Sequence, residues 1–261
     1  MLEAAQNGDN CFATLTYDDE NLPPDNSVDP RAVQNFLKRL RKRLDTANGL
    51  RIRYFAVGEY GDTTSRPHYH LALFNLPGCY RGRTDHTRED CCPACDLVKH
   101  SWGRGAVDLA PLEIGSAAYI AGYVVKKMTK HDDPRLEGRW PEFALMSRKP
   151  GLGLAMMDDL ASVLLEHNLD ETLEDVPTTL AHGTAQYPLG RYLRGKLRQR
   201  IGRSEKTPET VLQKIEAEMQ PMREAAFNNS TSFADEITKE NYGRRTRIYA
   251  KQKLRKRKVN L

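Results

Sequence analysis

The stretch from Leu50 to Asn75 constrains the fold most. "LRIRYFAVGEYG" (50–61) and "HYHLALFN" (68–75) are rich in β formers, and only the polar "DTTSRP" separates them. Two such runs this close in sequence pair as an antiparallel hairpin. Alternation along a strand then puts His68 and His70 on one face and Tyr69 on the other. Glu59 closes the first strand just before the turn, so a tight turn sets it beside the histidine pair.

Elements on either side follow from their patterns. "CFATLTYDD" (11–19) alternates as a strand, and "GAVDLAPL" (105–112) supplies another short one. In "RAVQNFLKRLRKRLDTA" (31–47), Val33, Phe36, Leu37, Leu40 and Leu44 fall at helical spacing, with Asp29 and Pro30 as cap and first turn. "GSAAYIAGYVVKKMTK" (115–130) reads as a helix with Ser116 as its cap. Residues 76–104 show no period and read as an insertion. Beyond residue 130 the pattern is poor in strands. Helices are expected at 151–168 and at 205–229, the latter broken near Pro221. This divides the chain into a sheet domain over 1–150, a helical extension over 151–238 and a basic tail over 239–261.

Charge is uneven. The chain carries a net +5, yet residues 239–261 alone hold ten Lys/Arg and one Glu. A basic tail on a mildly acidic body suits a polyanion, and it also suits a solvated terminus. Arg244, Arg245 and Arg247 of the tail are candidate phosphate contacts, as are Arg39, Arg41, Lys42 and Arg43 of the first long helix. The first residues have neither a basic start nor an apolar core, which points away from a secretory signal. No apolar run is long enough to cross a membrane. The odd count of five cysteines then suggests a reducing compartment rather than a disulfide framework.

Three groups carry chemistry. The first is His68, His70 and Glu59. Two imidazoles and a carboxylate leave open positions on a metal, which suits Mn²⁺ or Mg²⁺ acting on a phosphate oxygen and could also hold Zn²⁺. The alternative is a pair of locally hydrogen-bonded histidines. The second is Tyr119 and Tyr123, four residues apart and so on one helical face, followed by Lys126 and Lys127. A tyrosine beside a metal-polarised phosphodiester can attack phosphorus and form an ester, and either lysine could steady the developing charge. Two tyrosines at this spacing also occur as ordinary core aromatics. The third is "CYRGRTDHTREDCCPACDLVKH" (79–100). Here Cys92 and Cys95, with Cys79 and one of His86, His100 or Cys91, could hold a structural Zn²⁺, or remain free thiols.

The order "FATLTY", "GEYG…RPHYHLALF", "YIAGYVVKK" resembles the three motifs of the HUH-superfamily rolling-circle replication initiators. The paired tyrosines are similar to the two-tyrosine class. "CFATLTYDDENLP", "YIAGYVVKKM" and "MSRKPGLG" look like the initiators of microviruses, in particular the gokushovirus group. The resemblance covers roughly residues 11–153. It implies an α+β fold: a central antiparallel sheet with flanking helices, of the ferredoxin/RRM-like palm type. The histidine pair would lie on a central strand beneath the tyrosine helix. It also implies that His68, His70 and Glu59 are the metal ligands, and that Tyr123 is the nucleophile with Lys126 as its lysine. Tyr119 would be the second nucleophile, although no lysine stands at the same offset from it. The implied activity is nicking and rejoining of single-stranded or hairpin phage origin DNA through a 5′-phosphotyrosine, in the cytoplasm of a bacterial host. With no G-x-x-x-x-G-K-[ST] present, a host helicase and polymerase would be partners. A water-using metal phosphodiesterase and a non-catalytic single-strand binder are the competing readings.

Overall fold

The structure is a computed structural model. It describes residues 1–44, 51–61, 63–82, 91–126, 131–183, 185–243 and 246, with the side chains of 123–126 outside the description. Two compact units divide it, Met1–Leu160 and Ala161–Leu261.

The first unit begins with a short helix, α1 (Leu2–Ala5), and then β1 (Asn10–Thr16). Helix α2 (Pro30–Arg43) follows, then the hairpin β2 (Arg53–Tyr60) and β3 (Pro67–Phe74). Next come α3 (Pro93–Trp102), β4 (Val107–Pro111), α4 (Ile114–Lys126) and β5 (Phe143–Met146). The five strands form one antiparallel sheet in the order β4-β1-β3-β2-β5, with β3 at its centre. This is the α+β architecture expected from the sequence.

Alternation gives the sheet two different faces. Cys11, Ala13 and Leu15 of β1 and Tyr69, Leu71 and Leu73 of β3 point into the main core. There they meet Ala32, Val33, Phe36, Leu37 and Leu40 of α2 and Cys95, Val98 and Trp102 of α3. Helix α2 starts where Asp29 accepts a bond from Arg31 N at 2.8 Å with Pro30 at the first position, a cap and a preset φ together. Phe36 is fully buried, and truncating such a ring to alanine costs about 3–5 kcal/mol. A smaller apolar cluster covers part of the opposite face, where Val57, Ala72 and Phe74 meet Ile120 of α4.

Four expectations change. Residues 76–104 are not wholly irregular, because α3 lies within them, capped by Cys92 and closed by Gly103 in the left-handed region (φ 58°). Its ten residues are too short for a sequence period to stand out. Helix α4 starts two residues early, and Ser116 sits inside its first turn. There the Ser116 hydroxyl accepts from Glu113 N at 2.9 Å and donates to Glu113 O at 3.0 Å. The chain beyond 130 does supply strands, β5 among them, which pairs with the edge of β2 although it has only four residues.

The fourth change lies in the second unit. After α5 (Met156–Glu166) the chain forms α6 (Leu169–Thr172), a hairpin of β6 (Thr179–His182) and β7 (Ala185–Pro188), α7 (Arg191–Arg200) and α8 (Glu209–Asn228). Helix α8 runs through Pro221 without a break. Proline leaves the carbonyl four residues back without its partner, and that residue, Ala217, is exposed to water. Asp175 anchors α7, with Arg194 at 2.7 Å and Arg198 at 2.6 Å.

Candidate metal and nucleophile site

The site is built on the face of the sheet opposite α2. In the β2–β3 register Glu59 lies directly across from His68, and Val57 across from His70. On the other side β1 sets Thr14 across from His70. The hairpin closes through Gly61 N to Arg66 O at 3.0 Å and Ser65 N to Gly61 O at 2.8 Å. Arg66 pins the turn by donating to Asp19 Oδ1 at 2.7 Å and to Tyr17 O at 2.9 Å. Beside Glu59, Gly58 admits the Phe143 ring, which a Cβ there would meet at 2.6 Å.

Hydrogen bonds fix the ligand atoms. His68 Nδ1 lies 3.1 Å from Arg66 O. A carbonyl only accepts, so Nδ1 carries the proton and Nε2 is left as a lone pair unless the ring is charged. That Nε2 stands 2.7 Å from Glu59 Oε1, which is also an acceptor. His70 Nε2 lies 3.0 Å from the same oxygen, and its Nδ1 bonds Thr14 Oγ1 at 3.0 Å. Two imidazole nitrogens thus converge on one carboxylate oxygen, and something positive must lie among them, a proton or a metal ion. The second oxygen, Glu59 Oε2, is buried without a hydrogen-bond partner. Glu59 itself is only 3% exposed.

These atoms fit a small divalent ion. Neighbouring ligands of an octahedral ion, each about 2.1 Å from it, lie about 3 Å apart, which is close to the distances between Glu59 and the two rings. The unpartnered Oε2 is a further oxygen donor. Burial pushes the Glu59 carboxyl up, but hydrogen bonds and charge from His68 and His70 outweigh it and hold the group at about 2. It is therefore an anion throughout the neutral range.

Aromatic rings wall the site. Phe12 stacks on His70 with centroids 5.6 Å apart, and Tyr119 meets His70 edge-on at 5.3 Å. Tyr119 belongs to α4, which packs over β2 and β3. It is 47% exposed, so it is open to a ligand lying along the helix. Tyr123 follows one turn later in α4. Its side chain and that of Lys126 lie outside the described residues, as does Lys127 entirely.

Other candidates are placed as follows. Arg39 donates to Ser101 O at 2.7 Å and Trp102 O at 3.0 Å, tying α2 to the end of α3. Arg41 donates to Ile52 O at 2.9 Å and lies over the Tyr54 ring. Both guanidiniums therefore serve the fold, on the face away from the histidines. Lys42 and Arg43 are exposed. Arg244, Arg245, Arg247 and His86 lie outside the described residues. Cys79, Cys91, Cys92 and Cys95 come together in the main core. His100 stands apart from them, exposed, with Nδ1 donating to Asp96 O at 2.7 Å. Reading the sequence missed Thr14 and Phe12 as supports of His70. Their alternation in "FATLT" was visible, but the β1–β3 register that brings them to the histidine was not.

Residues 10–132 match the model of the replication-associated protein ORF2 family, a span that begins with β1 and ends just past α4. These residues belong to that family. The chain is 32% identical over 138 residues to replication-associated protein VP4 of Bdellovibrio phage phiMH2K, covering 48% of this chain and 41% of that one. It is 34% identical over 151 residues to replication-associated protein ORF2 of Spiroplasma virus 4, covering 56% and 46%. With replication-associated protein ORF4 of Chlamydia phage 1 it shares 33% over 138 residues, covering 48% and 33%. The chain thus spans less than half the length of the curated relatives it matches. No solved structure matches it. Among the described residues no helix is long and apolar enough to cross a membrane.

Proposed function

We propose that the chain initiates phage DNA replication by nicking and rejoining single-stranded or hairpin origin DNA, through transesterification onto tyrosine. One observation carries the reading: His68 and His70 converge on the buried, half-partnered carboxylate of Glu59, beneath a helix that presents the exposed Tyr119. Membership of residues 10–132 in a replication-associated family supports it.

Glu59, His68 and His70 would hold Mn²⁺ or Mg²⁺, which supplies positive charge that draws electrons from a phosphate oxygen. The Arg66 carbonyl holds the His68 ring so that Nε2 faces the site, and Thr14 does the same for His70. Phe12 blocks rotation of His70 from one side. A hydroxyl of Tyr119 or Tyr123 attacks phosphorus. A P–O(Tyr) bond forms as the P–O3′ bond breaks, the phenol proton leaves, and the 3′ oxygen gains one. The product is a 5′-phosphotyrosine and a free 3′-OH. One phosphodiester replaces another, so no nucleotide triphosphate is needed and the joint can be resealed by the reverse attack. Two tyrosines one turn apart in α4 let a second cleavage occur while the first joint is held. The 3′-OH would feed a host polymerase, and strand opening would come from a host helicase, in the host cytoplasm.

The test is cleavage of single-stranded DNA carrying a candidate phage origin, with Mn²⁺, Mg²⁺ or EDTA, using labelled DNA and a denaturing protein gel. A metal-dependent labelled protein band, absent in the Tyr119→Phe/Tyr123→Phe double variant, is expected. Cleavage with no such band would replace the reading by a hydrolase that uses water. Binding with no cleavage by either metal would replace it by a strand-binding module.

A further inference from the structure

The core on the opposite face holds a second constellation. Cys79, Cys91, Cys92 and Cys95 are all buried, and their four sulfurs lie within 4.8 Å of one another. The Cys79 and Cys91 sulfurs are 3.6 Å apart. That is far longer than the roughly 2.05 Å of a disulfide. Thiolates about 2.3 Å from one tetrahedral ion stand about 3.8 Å apart, close to the observed spacing. Sulfurs gathered this tightly surround one ion and leave no room for an iron–sulfur cube.

The backbone is shaped for the same end. Cys92 caps α3, and Cys95 N donates to Cys92 Sγ at 3.5 Å, so the C-x-x-C turn aims both sulfurs to one side. Pro93 at the first helical position stiffens that turn. Cys79 arrives from the segment after β3, and Cys91 immediately precedes the cap. Ordinary buried thiols behave as small apolar groups dispersed among carbons, as Cys11 does in the same core. Four that face one another form a ligand set.

We propose that Cys79, Cys91, Cys92 and Cys95 bind one structural Zn²⁺ that fastens the segment after β3 to the start of α3. Four soft sulfur ligands select zinc among common divalent ions, and a complete tetrahedral set leaves no position for substrate. The site stands on the face of the sheet opposite Glu59, His68 and His70, and the inference does not depend on how that triad is read.

The test is the metal content of the full chain purified without added metal. One zinc per chain is expected in the wild type and in a His68→Ala/His70→Ala variant. The Cys92→Ser/Cys95→Ser variant should retain none. If that variant is insoluble, cobalt replacement of the wild type decides. A thiolate-to-cobalt charge-transfer band with intense visible d–d bands is expected. Zinc retained by the cysteine variant, zinc lost with the histidines, iron in place of zinc, cobalt without the charge-transfer band, or disulfides found on thiol counting would each overturn the assignment.

Discussion

Replacing Glu59 by glutamine separates a metal site from a pair of hydrogen-bonded histidines. The amide matches the carboxylate in shape, so packing is kept while the negative charge and one hard oxygen ligand are lost. An ion bound only by the folded state stabilises it by about 2.7 kcal/mol at a free concentration a hundredfold above its dissociation constant. For a chain of this length that raises the melting temperature by roughly 5–11 °C, at about 2–4 °C per kcal/mol. Even the loss of a supporting partner weakens a metal site about 10–100-fold, and Glu59 offers both a shared oxygen and an unpartnered one. At the same Mn²⁺ concentration the stabilisation should then fall to about 1.4 kcal/mol for a tenfold loss and about 0.4 kcal/mol for a hundredfold loss. Thermal unfolding of both proteins, with Mn²⁺ and with EDTA, reads this directly. The Glu59→Gln shift should be half the wild-type shift or less. An undiminished shift would refute the ligand role of Glu59, and the absence of any wild-type shift would refute the site.

The acid limb of stability gives an independent check on the same group. Glu59 is held at about 2 against an ordinary 4.5, so between those values the unfolded chain binds more protons than the folded one. Its contribution is complete above about pH 4.5 and drains away as pH falls toward 2. The stability gap between wild type and Glu59→Gln, measured in chelator by urea unfolding, should narrow across that window. Thr14→Val keeps the shape but drops the bond to His70 Nδ1, and Mn²⁺ affinity should weaken about 10–100-fold with little change in metal-free stability, by calorimetric titration. Arg39→Ala removes two bonds to α3 carbonyls and should cost about 1–3 kcal/mol in denaturant unfolding. The salt dependence of DNA binding should stay unchanged, since that guanidinium is engaged inside the fold. Gly58→Ala places a Cβ at 2.6 Å from the Phe143 ring and should cost about 1–3 kcal/mol by the same measurement.

What could be read from the sequence was what depends on near neighbours. The β2–β3 hairpin follows from two β-rich runs and a short turn, and the facing of His68, His70 and Glu59 follows from the hairpin. The cap of α2 at Asp29 is equally local. What escaped depends on distant pairing. Thr14 meets His70 only because β1 lies beside β3 across 56 residues. Strand β5 is too short to show alternation and exists because the edge of β2 offers it a template. Arg39 and Arg41 look like part of a basic face, since nothing nearby in sequence reveals the carbonyls of residues 101, 102 and 52 that receive them.

The two constellations sit on opposite faces of the sheet, and one strand serves both. Even positions of β3 carry His68 and His70, while odd positions carry Tyr69, Leu71 and Leu73 into the core that also holds the four cysteines. The faces meet mechanically at the end of β1. Trp102, the last residue of α3, donates from Nε1 to Thr16 O at 2.8 Å, and Thr16 lies across from His68 in the register. Tyr69 reinforces the same point, bonding Tyr17 at 2.9 Å and receiving Asp29 N at 2.9 Å. Helix α3 is thus gripped at both ends, by the cysteines at its start and by Arg39 and Thr16 at its finish. A site whose ligands must stand within a fraction of an ångström needs a rigid strand beneath it. The sequence places its buried aromatics and its cysteines where they stiffen that strand from behind.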